Sequence, residues 1–463
     1  MRYISTRGQV APVEFQQAVR MGLADDGGLV IPQAIPDARN RMERWGELSY
    51  PELALEVLSL FATDIPPSDL ATLVERTYGD AFQPAVAPLA RVGDLYVLEL
   101  WHGPTLSFKD VALQLLGNLF EYILAHSGGQ LNVLGATSGD TGSAAICGVR
   151  GRKGIDIFIM HPHGRISPIQ ERQMTSVPDA NVHNIAVEGS FDDCQRIMKT
   201  LAADLEFKRA YSLGAVNSVN WARVLAQTVY YFHSALALRK RHNCPAVQFC
   251  VPTGNFGDIL AGWYALRMGA PISRLILAAN ENDILPRFFN SGEYSRGPVA
   301  QTLSPAMDIQ VASNFERYLY YKVGCDPAHL SGLMDGFARS GSLRIEPDSD
   351  GVVDANFLAA AGTTEQCLAA IRTCHEQHDY LLDPHTAVGV AVAQALGAAD
   401  DSAPVICVAT AHPAKFPDAI RQATGRDLAR HPDIDALAGL PTRCTTLAND
   451  VEAVQEFIVR TVG

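Results

Sequence analysis

The stretch LYVLELWHGPTLSFKDVALQLLGNLFEYILA, residues 95–125, runs from an apolar strand pattern through a loop into an apolar helix pattern. The same order recurs three times, with the loops TSGDTG at 137–142, TGNFG at 253–257 and TAHPAKF at 410–416. This alternation predicts the α/β class, in which open, mostly parallel sheets are flanked by helices. Loops at the carboxyl ends of parallel strands meet in one crevice, so we expect a ligand site there.

The chain of 463 residues is longer than a single hydrophobic core supports, so we expect more than one domain. Residues 1–85 contain amphipathic stretches such as YPELALEVLSLFA, which predict a mainly helical N-terminal domain. We assign a catalytic domain to residues 86–430, with a smaller mobile lobe at about 106–214. Residues 431–463 are expected to form a C-terminal helical tail.

Charge and hydropathy exclude several classes of protein. A net charge of −13 repels a nucleic acid backbone, and no basic stripe offsets it. No apolar stretch is long enough to span a bilayer, and the N-terminus MRYISTRGQV lacks the apolar core of a signal peptide. We therefore expect a cytoplasmic protein that binds neither nucleic acid nor membranes, and no obligatory protein partner is evident.

The cysteines and histidines do not suggest a metal site. The nine cysteines are scattered and include no CxxC pair, which argues against a disulfide framework and against a zinc site. His375, His378 and His385 lack an evident set of carboxylates or cysteines, so we expect surface or helix positions for them.

The TGNFG loop is a candidate phosphate site. Gly254 and Gly257 let the backbone approach a ligand closely, and the N–H groups of the loop and of the following helical turn point at one spot. An ordinary tight turn between strand and helix would contain the same residues. The spacing matches neither GxGxxG nor the Walker pattern, so a single phosphate is favoured over a nucleotide.

The TSGDTG loop presents hydroxyl groups at another helix start, an arrangement that suits a carboxylate. Asp140 would repel such an anion unless it caps the helix or meets a cation, and both alternatives stay open.

Lys109 precedes a strongly apolar helix, and both burial and the helix start disfavour its charged form. A neutral lysine forms a Schiff base with an aldehyde and acts as a general base. A solvated surface lysine is the alternative. Lys415 is a rival for the Schiff base, because its loop also faces the crevice.

Taken together, HGPTLSFKD, GATSGDTGSAA, NSVNWARV, VPTGNFGD, SPAMDIQVASNFER and TAHPAKF resemble the threonine synthase family of the bacterial and fungal type. The segment DDGGLVIP near the N-terminus adds to the resemblance, which leaves out only the C-terminal tail. It implies a pyridoxal-phosphate enzyme of fold type II, the tryptophan-synthase-β-like fold. The reaction it implies is the conversion of O-phospho-L-homoserine and water into L-threonine and phosphate, by a carbon-oxygen lyase.

The resemblance also implies roles for individual residues. Lys109 matches the lysine bonded to pyridoxal phosphate, and Thr410 matches the hydroxyl residue beside the pyridine nitrogen. The residues that match the phosphate loop are Gly254, Asn255, Phe256 and Gly257, and those that match the loop for the substrate's α-carboxylate are Thr137, Ser138, Gly139, Asp140 and Thr141.

Further polar residues near the crevice keep open roles. Arg165 is a candidate for the leaving phosphate, although an exposed ion pair would suit it equally. Asn217, Asn220 and Arg223 in NSVNWAR look like crevice residues, yet Trp221 and the apolar run after it also fit a packed helix.

Two other functions are compatible with the same motifs. A dehydratase or an amino-acid phospho-lyase would use the same cofactor and fold, and only assays for threonine and phosphate separate them from the synthase. A non-catalytic or nucleotide-binding protein on the same sheet is the third alternative, since fold alone does not give function.

Overall fold

The N-terminal part of the chain is built mainly of short helices. The computed structural model describes residues 1–137, 139–216, 218–348, 351–398 and 403–463. Its first elements are β1 (Tyr3–Ser5), α1 (Phe15–Met21), β2 (Val30–Pro32), α2 (Met42–Trp45), α3 (Tyr50–Ser59) and α4 (Pro67–Tyr78). Strands β1 and β2 pair antiparallel. The helices agree with the amphipathic spacing of the sequence, as in α3, which buries Leu53 and Val57 on one face.

The middle of the chain alternates strands and helices. Its elements are β3 (Leu89–Val92), β4 (Leu95–Glu99), α5 (Lys109–Ser127), β5 (Leu131–Ala136), α6 (Asp140–Val149), β6 (Ile155–Pro162), α7 (Pro168–Thr175), β7 (Val182–Glu188), α8 (Phe191–Ala203), α9 (Leu205–Ala210), β8 (Leu213–Ala215) and α10 (Trp221–His242). Helix α10 is buried along most of its length and packs against α3, α5 and the later helix α11.

The last part begins with β9 (Val247–Pro252), α11 (Gly257–Met268), β10 (Ile272–Ala279), α12 (Ile284–Ser291), β11 (Glu293–Ser295), α13 (Phe315–Lys322), α14 (Pro327–Ser340) and β12 (Ser342–Arg344). It continues with β13 (Phe357–Ala361), α15 (Thr364–His378), α16 (Pro384–Ala395), β14 (Val405–Ala409), α17 (Pro417–Thr424), α18 (Pro432–Ala436), β15 (Thr445–Ala448) and α19 (Val451–Val462).

Two parallel sheets carry the loops of interest. The six-stranded sheet has the order β13-β10-β9-β14-β4-β3, and only β3 runs antiparallel to its neighbour. The five-stranded sheet has the order β15-β7-β6-β5-β8, and all its pairs are parallel. The predicted α/β class is therefore confirmed, with the loops after β4, β9 and β14 on the first sheet and the loop after β5 on the second.

The C-terminal residues contribute more than helices. Helices α18 and α19 lie in this part of the chain, and β15 extends the five-stranded sheet by pairing with β7. Val454 and Ile458 of α19 are buried in the core of this sheet. The strand was not predicted because TTLA is short and shows no clear apolar alternation.

Helices α5 and α6 cross at two glycines. A Cβ atom on Gly117 would collide with the Gly148 carbonyl, and one on Gly148 would collide with the Leu113 carbonyl. Glycine at both positions lets the helices pack closely. The first residue of α5, Lys109, and the first residue of α6, Asp140, are thereby brought to the same end of the helix pair.

Candidate active site

Backbone hydrogen bonds join the loops that follow β4 and β14. Phe108 N donates to Thr410 O at 2.8 Å, and His412 N donates to Leu106 O at 3.0 Å. These bonds fix the start of α5 beside the end of β14. Lys109 and Thr410 are both nearly buried, at 9% and 7% exposure, and they come from adjoining loops.

Lys109, Asp140 and Lys415 form a buried charged triad. Lys415 Nζ lies 2.7 Å from Asp140 Oδ1, and Lys109 Nζ lies 3.5 Å from Asp140 Oδ2. The three residues come from the loops after β4, β5 and β14, as expected for loops that meet in one crevice. Asp140 therefore meets a cation, which is one of the two alternatives that its position in the sequence allows.

The two lysines of the triad are held differently. Lys415 is 1% exposed, and its Nζ also donates to Thr105 O at 2.8 Å. Within the described residues, Lys109 Nζ makes one hydrogen bond, the long one to Asp140. Lys109 is therefore the less restrained of the two amines.

Burial and charge set the protonation of the triad. Burial lowers the pKa of Lys109, and the charges of Lys415 and Arg223 lower it further, while Asp140 opposes both effects. Burial by itself would raise the pKa of Asp140, but the two lysines and hydrogen bonds from Lys415 and Gln170 bring this pKa well below its usual range. The outcome is a persistent carboxylate beside an amine that gives up its proton more readily than an exposed lysine does.

The TSGDTG loop is closed by Thr137, whose Oγ1 accepts hydrogen bonds from Gly139 N at 2.9 Å and Gly142 N at 3.0 Å. Gly139 has a φ of 148°, and a Cβ atom there would collide with a neighbouring side chain. Thr141 is half-buried in the first turn of α6. Ser138, which we expect to contact the substrate, lies outside the described residues.

The TGNFG loop leads into α11 and packs tightly against its surroundings. A Cβ atom on Gly254 would lie 2.5 Å from Ala306 O, so only glycine fits. Phe256 has a φ of 63°, and its ring is buried in an aromatic cluster, so its backbone is the part left for a ligand. Asn255 is exposed, and Gly257 begins α11, whose free N–H groups favour an anion.

The segment SPAMDIQVASNFER, residues 304–317, supports the TGNFG loop. Asn314 N donates to Asn255 O at 3.0 Å, and Ser313 Oγ donates to Asn255 Oδ1 at 3.2 Å. Asp308 accepts from Thr302 Oγ1 and from Asn280 Nδ2, both at 2.7 Å. This polar network fixes the segment and, through it, the loop.

A buried polar group at the start of α16 was missed by the sequence reasoning. Asp383 Oδ1 accepts from His385 N and His385 Nδ1, both at 2.9 Å, and Asp383 Oδ2 accepts from Thr386 Oγ1. His385 thus has the carboxylate partner that was not evident from the sequence. The available signal was an Asp-Pro pair before an apolar run, since Asp is a favoured N-cap and Pro a favoured first helical residue.

The other polar residues expected at the crevice occupy different environments. Arg223 is 4% exposed, its Nη1 donates to Val216 O at 3.0 Å, and burial lowers its pKa to about 10. Arg165 is exposed in the loop between β6 and α7, and its role for the leaving phosphate stays a prediction. Asn220 is the N-cap of α10, whereas Asn217 lies outside the described residues.

The described residues contain no group of three or more His, Cys, Asp or Glu side chains that could hold a metal ion. No helix in the same ranges is long and apolar enough to cross a membrane. All nine cysteines are free thiols.

Three family models match the chain. The model described as threonine synthase N terminus matches residues 2–78, and the model described as pyridoxal-phosphate dependent enzyme matches residues 84–411. The model described as threonine synthase, C-terminal, matches residues 386–458.

Whole-chain relatives and solved structures agree with these matches. The chain is 46% identical to threonine synthase from Pseudomonas aeruginosa, covering 99% of this chain and 98% of the relative. It is also 46% identical to threonine synthase from Schizosaccharomyces pombe, covering 91% and 89%. The structure of pyridoxal-phosphate-bound threonine synthase from Brucella melitensis superposes with a TM-score of 0.94 at 46% identity, covering 100% of this chain and 99% of that one.

Proposed function

The chain belongs to the threonine synthase family, whose cofactor is pyridoxal 5'-phosphate, and we propose that Lys109 is the residue bonded covalently to that cofactor. The reaction we assign, as the resemblance implies, converts O-phospho-L-homoserine and water into L-threonine and phosphate. The observation that carries the choice of lysine is the contrast within the charged triad. Lys415 is held by Asp140 and Thr105, while Lys109 Nζ has one partner at 3.5 Å.

The residues around Lys109 fit the cofactor. The N–H groups of the TGNFG loop and of the first turn of α11 can surround a phosphate. Gly254 lets this loop pack directly against the Ala306 carbonyl. Ser107 Oγ is buried without a hydrogen-bond partner among the described residues, which leaves a polar group beside Lys109 for a ligand. Thr410 offers a neutral hydroxyl for the ring nitrogen.

When bound, pyridoxal phosphate supplies an electron-withdrawing ring that stabilises negative charge next to the substrate's amino group. Lys109 Nζ is the group that moves protons. Burial favours its neutral form, which accepts the Cα proton, and the Asp140 carboxylate 3.5 Å away stabilises the ammonium that forms. Loss of a Cβ proton lets phosphate leave from Cγ, Cγ then takes up a proton, and the hydroxyl of water adds at Cβ. The same amine returns a proton to Cα.

The substrate has two anionic ends that need separate partners. Asp140 lies in the loop assigned to the α-carboxylate and would repel it, but Lys415 at 2.7 Å compensates the Asp140 charge. We assign the phosphate end to Arg223, because its buried Nε has no hydrogen-bond partner among the described residues and a guanidinium binds phosphate bidentately. Arg165 stays the exposed alternative.

We also place the enzyme in the cytosol. Free thiols at all nine cysteines fit a reducing compartment. O-Phospho-L-homoserine is the small-molecule partner, and the net charge of −13 disfavours nucleic acid.

Borohydride reduction of the holoenzyme followed by peptide mapping tests the assignment of Lys109. We expect the pyridoxyl group on the peptide that contains Lys109, and none on that peptide in Lys109→Arg, which keeps a cation but lacks the amine. A pyridoxyl group on Lys415 in the wild-type protein would overturn the assignment.

The reaction is tested separately by measuring phosphate and threonine released from O-phospho-L-homoserine. Equal amounts of the two products are expected from a synthase. Phosphate without threonine would indicate a phospho-lyase instead.

A further inference from the structure

Asp383 is a buried carboxylate to which the proposed reaction gives no role. It is 1% exposed, and its partners His385 and Thr386 are 4% and 1% exposed. Oδ1 accepts from His385 N and Nδ1 at 2.9 Å, while Oδ2 accepts from Thr386 Oγ1. One carboxylate therefore orients two neighbouring side chains that point to different parts of the site.

Thr386 connects Asp383 to the ring end of the site. Because its hydroxyl hydrogen is directed to Asp383, its oxygen accepts, and Thr410 N donates to it at 3.3 Å. Thr410 O accepts from Phe108 N at 2.8 Å on the other side. The backbone of Thr410 is therefore held at both its N–H and its carbonyl. We call this the ring arm.

His385 connects Asp383 to the phosphate end. Ala306 N donates to His385 Nε2 at 3.3 Å, which makes Nε2 the acceptor and places the hydrogen of the neutral ring on Nδ1, facing Asp383. Ala306 O is the atom that would lie 2.5 Å from a Cβ on Gly254. His385 thus fixes the surface against which the TGNFG loop packs. We call this the phosphate arm.

We propose that Asp383 is a positioning residue that holds both ends of the cofactor site in place without touching the cofactor. Through Thr386 it fixes Thr410, and through His385 it fixes the neighbour of Gly254. The inference rests on the proposed roles of Thr410 and of the TGNFG loop. A site that is ordered before binding loses less freedom on binding, so cutting either arm weakens the affinity for the cofactor.

A plain helix cap is the competing explanation, and the chain contains a matched control for it. Asp326 begins α14 with the same Asp-Pro pair, and its Oδ1 accepts from Ala328 N at 2.9 Å and His329 N at 3.1 Å. Asp326 is exposed. Asp383→Ala and Asp326→Ala each remove an Asp cap, but only the first also cuts the two arms.

The test measures the dissociation constants of the apoenzyme for pyridoxal phosphate and for pyridoxal, which lacks the phosphate, by fluorescence titration. Thr386→Val cuts the ring arm and should weaken both ligands about tenfold. His385→Phe cuts the phosphate arm, so it should weaken the binding of pyridoxal phosphate by a similar factor and leave the affinity for pyridoxal unchanged. Thr386→Ser keeps the hydroxyl and should bind both ligands with the affinity of the wild type.

Asp383→Ala should weaken the binding of pyridoxal phosphate more than Thr386→Val or His385→Phe does. Asp326→Ala should bind it with the affinity of the wild type. If Asp383→Ala does not fold, Asp383→Asn, which keeps a capping oxygen, should show the same loss. Equal affinities in the Asp383 and Asp326 variants would overturn the proposal, and so would equal effects of His385→Phe on both ligands. A wild-type chain that bound no pyridoxal phosphate would overturn the proposed function as well, whereas normal binding by every variant would overturn this inference alone.

Discussion

Asp140 and Lys415 form an almost fully buried ion pair, with 2.7 Å between Oδ1 and Nζ and side-chain exposures of 5% and 0%. The pair joins the loop after β5 in the five-stranded sheet to the loop after β14 in the six-stranded sheet. It therefore links the two sheets across the crevice. It also compensates the charge of the loop proposed to take the substrate's carboxylate.

Lys415→Met should reduce the free energy of unfolding by about 3–5 kcal/mol, because it leaves the Asp140 carboxylate buried without its main partner. Asp140→Asn should have a similar effect, and the double variant should lose less than the sum of the two. Denaturant unfolding of the apoprotein measures all three.

The control for this cycle is Lys240→Met, since Lys240 and Glu47 form an ion pair at 63% and 67% exposure. Its effect should stay within about 1 kcal/mol. Additive losses at Asp140 and Lys415 would contradict the coupling.

Gly254→Ala should move the TGNFG loop, which we propose binds the cofactor's phosphate, because its Cβ would lie 2.5 Å from the backbone oxygen of Ala306. We expect the dissociation constant for pyridoxal phosphate to rise at least about tenfold, the equivalent of one displaced hydrogen bond. Equilibrium titration of the apoprotein measures it. In the matched variant Gly336→Ala, in α14, nothing lies within 4 Å of the new Cβ, so cofactor binding should not change. Unchanged affinity in both variants would show that the loop does not bind the phosphate.

Asp258, in the first turn of α11, should make stability fall as the pH rises. Burial raises its pKa to about 6, although hydrogen bonds from Tyr230 and Tyr231 lower it in part. Between the ordinary pKa of 3.8 and about 6, the folded protein therefore holds a proton that the unfolded chain releases. The contribution of Asp258 to the free energy of unfolding therefore falls across this window and is constant above it.

Asp258→Asn removes that titration. From pH 3.8 to about pH 6, the free energy of unfolding of the wild type should fall by about 2–3 kcal/mol relative to that of Asp258→Asn. Urea unfolding at a series of pH values measures the difference. Burial also raises the pKa of Asp110 to about 6, but Asp110 is present in both proteins, so its effect cancels in the difference between their free energies of unfolding. A difference that does not change with pH would mean that Asp258 is ionised throughout.

Local patterns were sufficient to predict the four strand-loop-helix units that carry the candidate site. Each of the four loops lies where an apolar run ends and a helix begins, and parallel strands bring such loops together at one edge. The place of Lys109 before an apolar helix predicted a buried amine, and Lys109 is 9% exposed. Its bond to the cofactor follows from the resemblance and stays a prediction.

Local sequence patterns did not predict the contacts between segments that are distant in the chain. Asp140 and Lys415 are 275 positions apart in the chain, and nothing in either loop specifies the other. The same holds for His385 and Ala306, because a hydrogen bond between two segments so far apart in the chain depends on how the sheets and helices pack. For Phe256, the sequence does not separate a ring that faces a ligand from one buried in an aromatic cluster, as the structure has it.

Arg317 joins three distant segments of the chain beside the candidate site. Its guanidinium is fully buried and donates from Nε to Val30 O at 3.0 Å, from Nη1 to Asn314 Oδ1 and from Nη2 to Val219 O. It thus ties the N-terminal part and the NSVNWAR segment to Asn314, whose N–H donates to Asn255 of the TGNFG loop. Lysine has a single nitrogen and does not reach three separated acceptors at once.

Arg317→Lys should therefore lower the free energy of unfolding by about 2–4 kcal/mol, since it leaves buried carbonyl groups without donors. It should also weaken pyridoxal phosphate binding several-fold by loosening Asn314, although Arg317 is not assigned to the cofactor. Arg344→Lys, at a side chain that is 63% exposed, is the control and should change neither quantity. If Arg317→Lys lowered stability but bound the cofactor with wild-type affinity, the hydrogen bonds of Arg317 would stabilise the fold alone. The TGNFG loop would then keep its shape without them.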